Sequence, residues 1–77
     1  MSWKEAKIAF MNYLKDYDED HALDADQVNG AFGTMELNRF RTRAILFELV
    51  VDGYIKKKLV AYEENKTKYV YWGDFSK

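Results

Sequence analysis

Five polar residues set close together, Asn38, Arg39, Arg41, Thr42 and Arg43, are the side chains of this 77-residue sequence best suited to recognition chemistry. Arginine and asparagine present paired hydrogen-bonding groups that match guanine and adenine edges in bidentate fashion. Arg39 and Arg43 stand one helical turn apart, a spacing that suits backbone phosphates. Further along, Lys56, Lys57, Lys58, Lys66 and Lys68 supply cations that would hold a polyanion without reading its sequence. These residue types support binding rather than bond breaking. The plainer reading is that they only solvate a helix and a strand surface, as mixed charges do on most small domains.

Other chemistries find less support. Asp16, Asp18, Asp20 and Asp24 fall at positions one, three, five and nine of a calcium-loop register, with Leu23 at the apolar eighth. His21 stands where such a loop needs glycine, and Gln27 where a bidentate glutamate should close the cage. The segment therefore reads as a solvated acidic loop in which Asp24 caps a helix. His21 is the one histidine and there is no cysteine, so a thiolate or histidine-rich metal centre has no ligands. Ser2, Thr34, Thr42, Thr67 and Ser76 have no base in the pattern, and the four glycines are scattered rather than gathered into a phosphate loop. No cofactor and no enzymatic activity are expected.

The elements that must position these groups follow from periodicity. Thr34 to Ile55 reads as one long helix ended by Asp52-Gly53, because glycine tolerates the left-handed conformation of a C-terminal cap. At about 100° per residue, Leu37, Phe40, Ala44, Phe47 and Val51 share a face assigned to the core. Asn38, Arg41 and Thr42 then point outward. Ile45, Leu46, Leu49 and Val50 form a second apolar stripe on the side opposite Phe40 and Phe47. That stripe is either a homodimer or partner interface, or is buried by neighbouring elements of the chain. Upstream, Ser2 to about Tyr17 is a helix with Ser2 and Glu5 in capping-box positions and Trp3, Ala6, Phe10, Leu14 and Tyr17 on one face, widened by Ile8 and Met11. A short helix starts at Asp24, with Gln27 at the reciprocal cap position, and stops at Gly33. After Gly53 the period changes to two, and Tyr54–Tyr62 and Thr67–Trp72 read as a hairpin around Glu63–Lys66. Ile55, Leu59, Val70 and Trp72 are expected to cover the core, with Lys56, Lys58 and Lys68 on the solvent side. From Gly73 the chain reads as a tail.

The segments Asp24-Ala-Asp-Gln-Val-Asn-Gly-Ala-Phe-Gly33 and Arg43-Ala-Ile-Leu-Phe-Glu-Leu-Val-Val-Asp-Gly-Tyr-Ile55 resemble the positioning helix and the end of the recognition helix of the winged helix-turn-helix family. The resemblance covers about residues 21 to 72. It departs in a longer turn-plus-helix from Gly33 to Val51, and in having no clear strand between the first two helices beyond Ala22-Leu23. It implies an α+β fold over residues 1–77, with three helices followed by a two-stranded β-hairpin wing. It also implies a small regulator of transcription or replication, of the phage or prokaryotic type. The helix at 34–52 would enter the major groove of double-stranded DNA through Asn38, Arg39, Arg41, Thr42 and Arg43. The hairpin at 54–72 would add Lys56, Lys57, Lys58, Lys66 and Lys68 on the backbone. The alternative is the same fold used as an interaction module that modulates a protein partner without DNA contact.

Charge is compatible with either. Residues 1–35 carry three lysines against seven carboxylates (−4), and residues 36–77 carry nine Lys or Arg against six carboxylates (+3), for a net −1. No stretch reads as a signal peptide, and no apolar run approaches the roughly 18 residues of a membrane span. A cytoplasmic protein with no membrane partner is the expectation.

Overall fold

The computed structural model describes residues 2–33 and 37–76. Helix α1 (Trp3–Leu14) opens at Ser2, whose hydroxyl accepts the Glu5 amide at 3.1 Å. It stops at Leu14 rather than near Tyr17, and a single 3-10 turn (Glu19–His21) follows, capped by the Asp18 side chain. Strand β1 (Leu23–Asp24) leads directly into helix α2 (Ala25–Ala31). The capping box there is complete: the Gln27 amide donates to Asp24 Oδ1 at 2.7 Å, and the Asp24 amide donates to Gln27 Oε1 at 2.9 Å. Two backbone donors at the helix entrance are thereby satisfied from within four residues.

Helix α3 (Arg39–Val51) is shorter than the expected 34–52 helix, because Asn38 is its N-cap and accepts the Arg41 amide at 2.8 Å. Asparagine competes well for that position, since its short side chain replaces a missing carbonyl. Thr34, Met35 and Glu36, assigned to this helix from the sequence, lie outside the described residues. The far end behaves as expected. Gly53 has φ +83°, its amide donates to Val50 O at 3.1 Å, and the Tyr54 amide donates to Leu49 O at 3.0 Å. This pair of bonds is the Schellman closure that a left-handed residue makes possible.

Strands β2 (Lys56–Glu63) and β3 (Lys66–Trp72) form the hairpin, with Asn65 at φ 63° in the two-residue connection. The sheet has three strands, not two: β1 pairs with the other edge of β3, Leu23 opposite Tyr71 and Asp24 opposite Val70, giving the antiparallel order β1-β3-β2. The described fold is thus α+β, with three α-helices and a three-stranded antiparallel sheet.

The core joins Ala6, Phe10 and Leu14 of α1, Val28 of α2, Ile45, Leu46 and Leu49 of α3, Ile55, and Tyr71 of β3. Leu59, expected in the core, is exposed; it opposes Tyr69 towards the hairpin turn, where the strands stand clear of the helices. Val70 and Trp72 are buried, but alternation puts them on the face away from Tyr71, and the 3-10 turn packs against β3. Nor is the segment after Trp72 a loose tail at its start. The Gly73 amide donates to Leu14 O at 3.1 Å and the Asp74 amide to Tyr17 O at 2.9 Å, stitching the end of β3 to the end of α1.

Two glycines predict opposite responses. A Cβ at Gly73 would sit 2.9 Å from Leu14 O, inside backbone contact distance, whereas one at Gly30 meets nothing within 4 Å. Gly73→Ala should lower stability by about 1–3 kcal/mol, as overpacking does. Gly30→Ala, within α2, should raise it by roughly 0.5–1 kcal/mol. Thermal or denaturant unfolding of the two variants checks both signs.

Candidate functional site

The facing of α3 decides which of its residues can meet another molecule. Thr42, Ile45, Leu46 and Leu49 are fully buried, and Val50 is half-buried against the core. The opposite face is Phe40 at 81% exposure, Ala44, Phe47 at 54% and Val51 at 68%. Of the stripe expected in the core, only Leu37 packs against it. Phe40, Ala44, Phe47 and Val51 are outside, whereas Ile45, Leu46 and Leu49, expected either at an interface or under neighbouring elements, are inside. Both stripes have helical spacing and both are apolar, so periodicity does not rank them. The choice is made by α1, α2 and Tyr71, which close over the aliphatic stripe.

Thr42, expected on the DNA-contacting side, is an interior residue. Its hydroxyl accepts the Asn29 carboxamide Nδ2 at 2.9 Å, and the same Nδ2 donates to Leu37 O at 2.9 Å. One asparagine on α2 thus ties down both the start of α3 and the residue before its cap. Asn38 has its side-chain oxygen committed to capping. Arg41 and Arg43 are exposed on the two flanks of the apolar stripe, and among the described residues neither forms an ion pair. Arg39 is exposed but holds Asp26 at 3.2 Å.

The hairpin cations are mostly engaged within the chain. Lys58 meets Glu19 at 3.3 Å, Lys66 meets Glu63 at 3.3 Å, and Lys68 meets Asp24 at 2.7 Å. Lys56 lies over the Phe75 ring at 4.8 Å. Lys57 sits between two rings, 4.7 Å from Phe47 and 4.3 Å from Tyr69, bridging α3 to the sheet. Such contacts keep the ammonium charge but orient it against aromatic faces. An open cleft of about 850 Å³ runs here between the start of α2, the outer side of α3 and the sheet, lined by Asp26, Arg43, Phe47, Lys57, Tyr62 and Tyr69 among others. Phe47, expected in the core, lines this cleft instead, together with Tyr62 and Tyr69 of the hairpin.

On the other side of α3, Glu48 accepts the Trp3 indole Nε1 at 2.6 Å and Lys7 Nζ at 3.1 Å, and Asp52 takes the same lysine at 2.9 Å. The Trp3 and Lys7 hydrogen bonds hold the Glu48 carboxyl below its usual range, and Asp52 and Glu48 raise the Lys7 ammonium. These contacts fix α1 across α3. The acidic loop shows no cage: among the described residues, no group of three or more His, Asp or Glu side chains is placed to hold a metal ion. Asp18 and Asp24 act as helix caps instead.

Comparison of the chain with protein-family profiles, with curated proteins and with solved structures returned no match.

Two predictions concern the groups that hold the site in place. Burial pushes the Asp24 carboxyl up, but Lys68 and the amides of Gln27 and Asp26 together outweigh it, so the group ionises below its ordinary value. Its stabilising contribution is present above the unfolded-state carboxyl pKa of about 3.9 and fades as pH falls through the depressed folded value. Wild type should therefore lose stability on acidification below about pH 4 more steeply than Asp24→Asn, read by unfolding midpoints across a pH series. Thr42→Val should cost about 1 kcal/mol by removing one buried hydrogen bond. Its effect belongs in the unfolding midpoint, with α3's outer surface unchanged.

Proposed function

We propose that this chain is a winged-helix domain whose third helix serves as a docking surface for protein. The element order supports the winged-helix part of this reading: helix, short strand, two helices and a hairpin, with the first strand added to the hairpin's edge. The observation that carries the docking part is the outer face of α3. In a helix that reads DNA, the side pointing away from the core enters the major groove and must present donors and acceptors to base edges. Here that side is Phe40, Ala44, Phe47 and Val51, and Leu59 and Tyr69 of the hairpin extend the exposed apolar surface. Exposed apolar surface of that kind marks contact with protein. Asp26 also lines the adjoining cleft and Asp24 borders it, where a phosphate backbone would approach.

A second reading, a regulator bound to double-stranded DNA, is favoured by one feature. Arg41 and Arg43 flank the stripe without ion pairs among the described residues, and Arg43 lines the same cleft as Lys57. In that case the first turns of α3 would grip phosphates, and Phe40 would lie against thymine methyls.

A fluorescence-anisotropy titration with random-sequence duplex DNA at two salt concentrations separates the readings. The docking role predicts no saturable binding at low salt by the folded chain. Saturable binding that weakens steeply with salt, and is lost in Arg41→Ala and Arg43→Ala but kept in Phe47→Asp, would overturn it in favour of DNA.

A further inference from the structure

Given that docking role, we infer that the partner is a second copy of this chain, packed so that the two α3 helices run antiparallel across a two-fold axis. The stripe itself has the spacing of a helix-pairing seam: Phe40, Ala44, Phe47 and Val51 are separated by four, three and four residues, the a/d rhythm that brings one helix against another. A two-fold point between Ile45 and Leu46 sets Phe40 opposite Val51 and Ala44 opposite Phe47. Large then meets small at the crossing, where the bare methyl of Ala44 leaves room for the partner ring.

Charge chooses the direction. Every charged residue in the first half of α3 is cationic (Arg39, Arg41, Arg43), and those of its last half and cap are anionic (Glu48, Asp52). Parallel helices would set all three arginines beside their copies, whereas the antiparallel pair brings only Arg43 within about 8 Å of its copy along the axis. Antiparallel helices set Arg41, which shares one flank with Glu48, near Glu48 and Asp52 of the partner copy. Glu48 already accepts from Trp3 and Lys7, but a carboxylate offers about four acceptor sites, so an added arginine fits its capacity. Head-to-tail helix dipoles also favour the antiparallel arrangement. A closed two-fold contact uses the same patch on both copies and leaves no apolar stripe uncovered.

Sedimentation velocity over a concentration series tests this, using the full chain and variants checked for retained helical circular dichroism. Wild type should pass from monomer to dimer. Phe47→Asp and Phe40→Asp, both at exposed positions, should shift the midpoint to at least tenfold higher concentration. Direction is read by spin-label distances, because the chain has no cysteine and single labels are unambiguous. In the antiparallel pair, labels at Arg43→Cys lie about 8 Å apart along the axis and those at Arg39→Cys about 20 Å. A parallel pair gives one separation for both. A wild type that stays monomeric, a dimer indifferent to both aspartate variants, or equal label distances would each overturn the inference. A monomer that retains Phe47-dependent binding to another protein would remove the second copy while leaving the docking role. A monomer whose protein contacts are all indifferent to Phe47→Asp would remove both.

Discussion

The structure depends on burying one particular side of α3. Ile45, Leu46 and Leu49 carry the apolar load, and Thr42 sits in line with them as the one polar member. That threonine is tolerated because Asn29 reaches across from α2 to donate to its hydroxyl while also bonding Leu37 O. A buried hydroxyl without a partner would cost more than its methyl group returns, so the asparagine and the threonine belong together. Rotating α3 to bury Phe40 and Phe47 instead would break that pair and expose three aliphatic side chains. Burial of the aliphatic stripe by α1, α2 and Tyr71 thus sets which face α3 shows, and the Asn29–Thr42 contact lets a threonine sit inside it.

Everything offered to the outside follows from that choice. With the aliphatic stripe inside, the aromatic one is left at the surface, and the arginines fall on its flanks rather than at its centre. The hairpin adjusts to the same arrangement: Lys57 lies against Phe47 and Tyr69 and bridges helix and sheet within the cleft. Among the described residues, Lys7, Arg39, Lys58, Lys66 and Lys68 are drawn into pairs with nearby carboxylates. Such exposed pairs contribute about 0–1 kcal/mol each, so they stabilise little, but they lower the positive potential that a polyanion would meet.

What was legible in the sequence was local. The Asp24–Gln27 capping box, the Ser2 cap, the Asp52-Gly53 ending and the hairpin around Asn65 each rest on residues within a few positions, and the structure has them all. What was hidden required knowing which elements pack together. Two helical stripes on α3 were equally apolar, and the polar residue in the buried one looked like a surface residue because Asn29 lies thirteen positions away. Strand β1 spans two residues, too few for any period to show, and exists because β3 has a free edge beside it. The tie from Gly73 to Leu14 is made by backbone alone, and only the glycine hints at it. For the candidate site the same limit applies: the arginines of α3 stand out by residue type, but the apolar centre between them has the pattern of a core face.

The most direct measurement is residue-resolved solvent accessibility on α3, by nuclear magnetic resonance with a soluble paramagnetic probe at low and at high protein concentration. The account predicts that Ile45, Leu46 and Leu49 are shielded at both, while Phe40, Phe47 and Val51 are bleached by the probe at low concentration and protected at high. Bleaching of Ile45 and Leu46 would contradict the facing of α3 itself. Phe40 and Phe47 remaining equally accessible at every concentration would contradict the pairing of two copies through this helix.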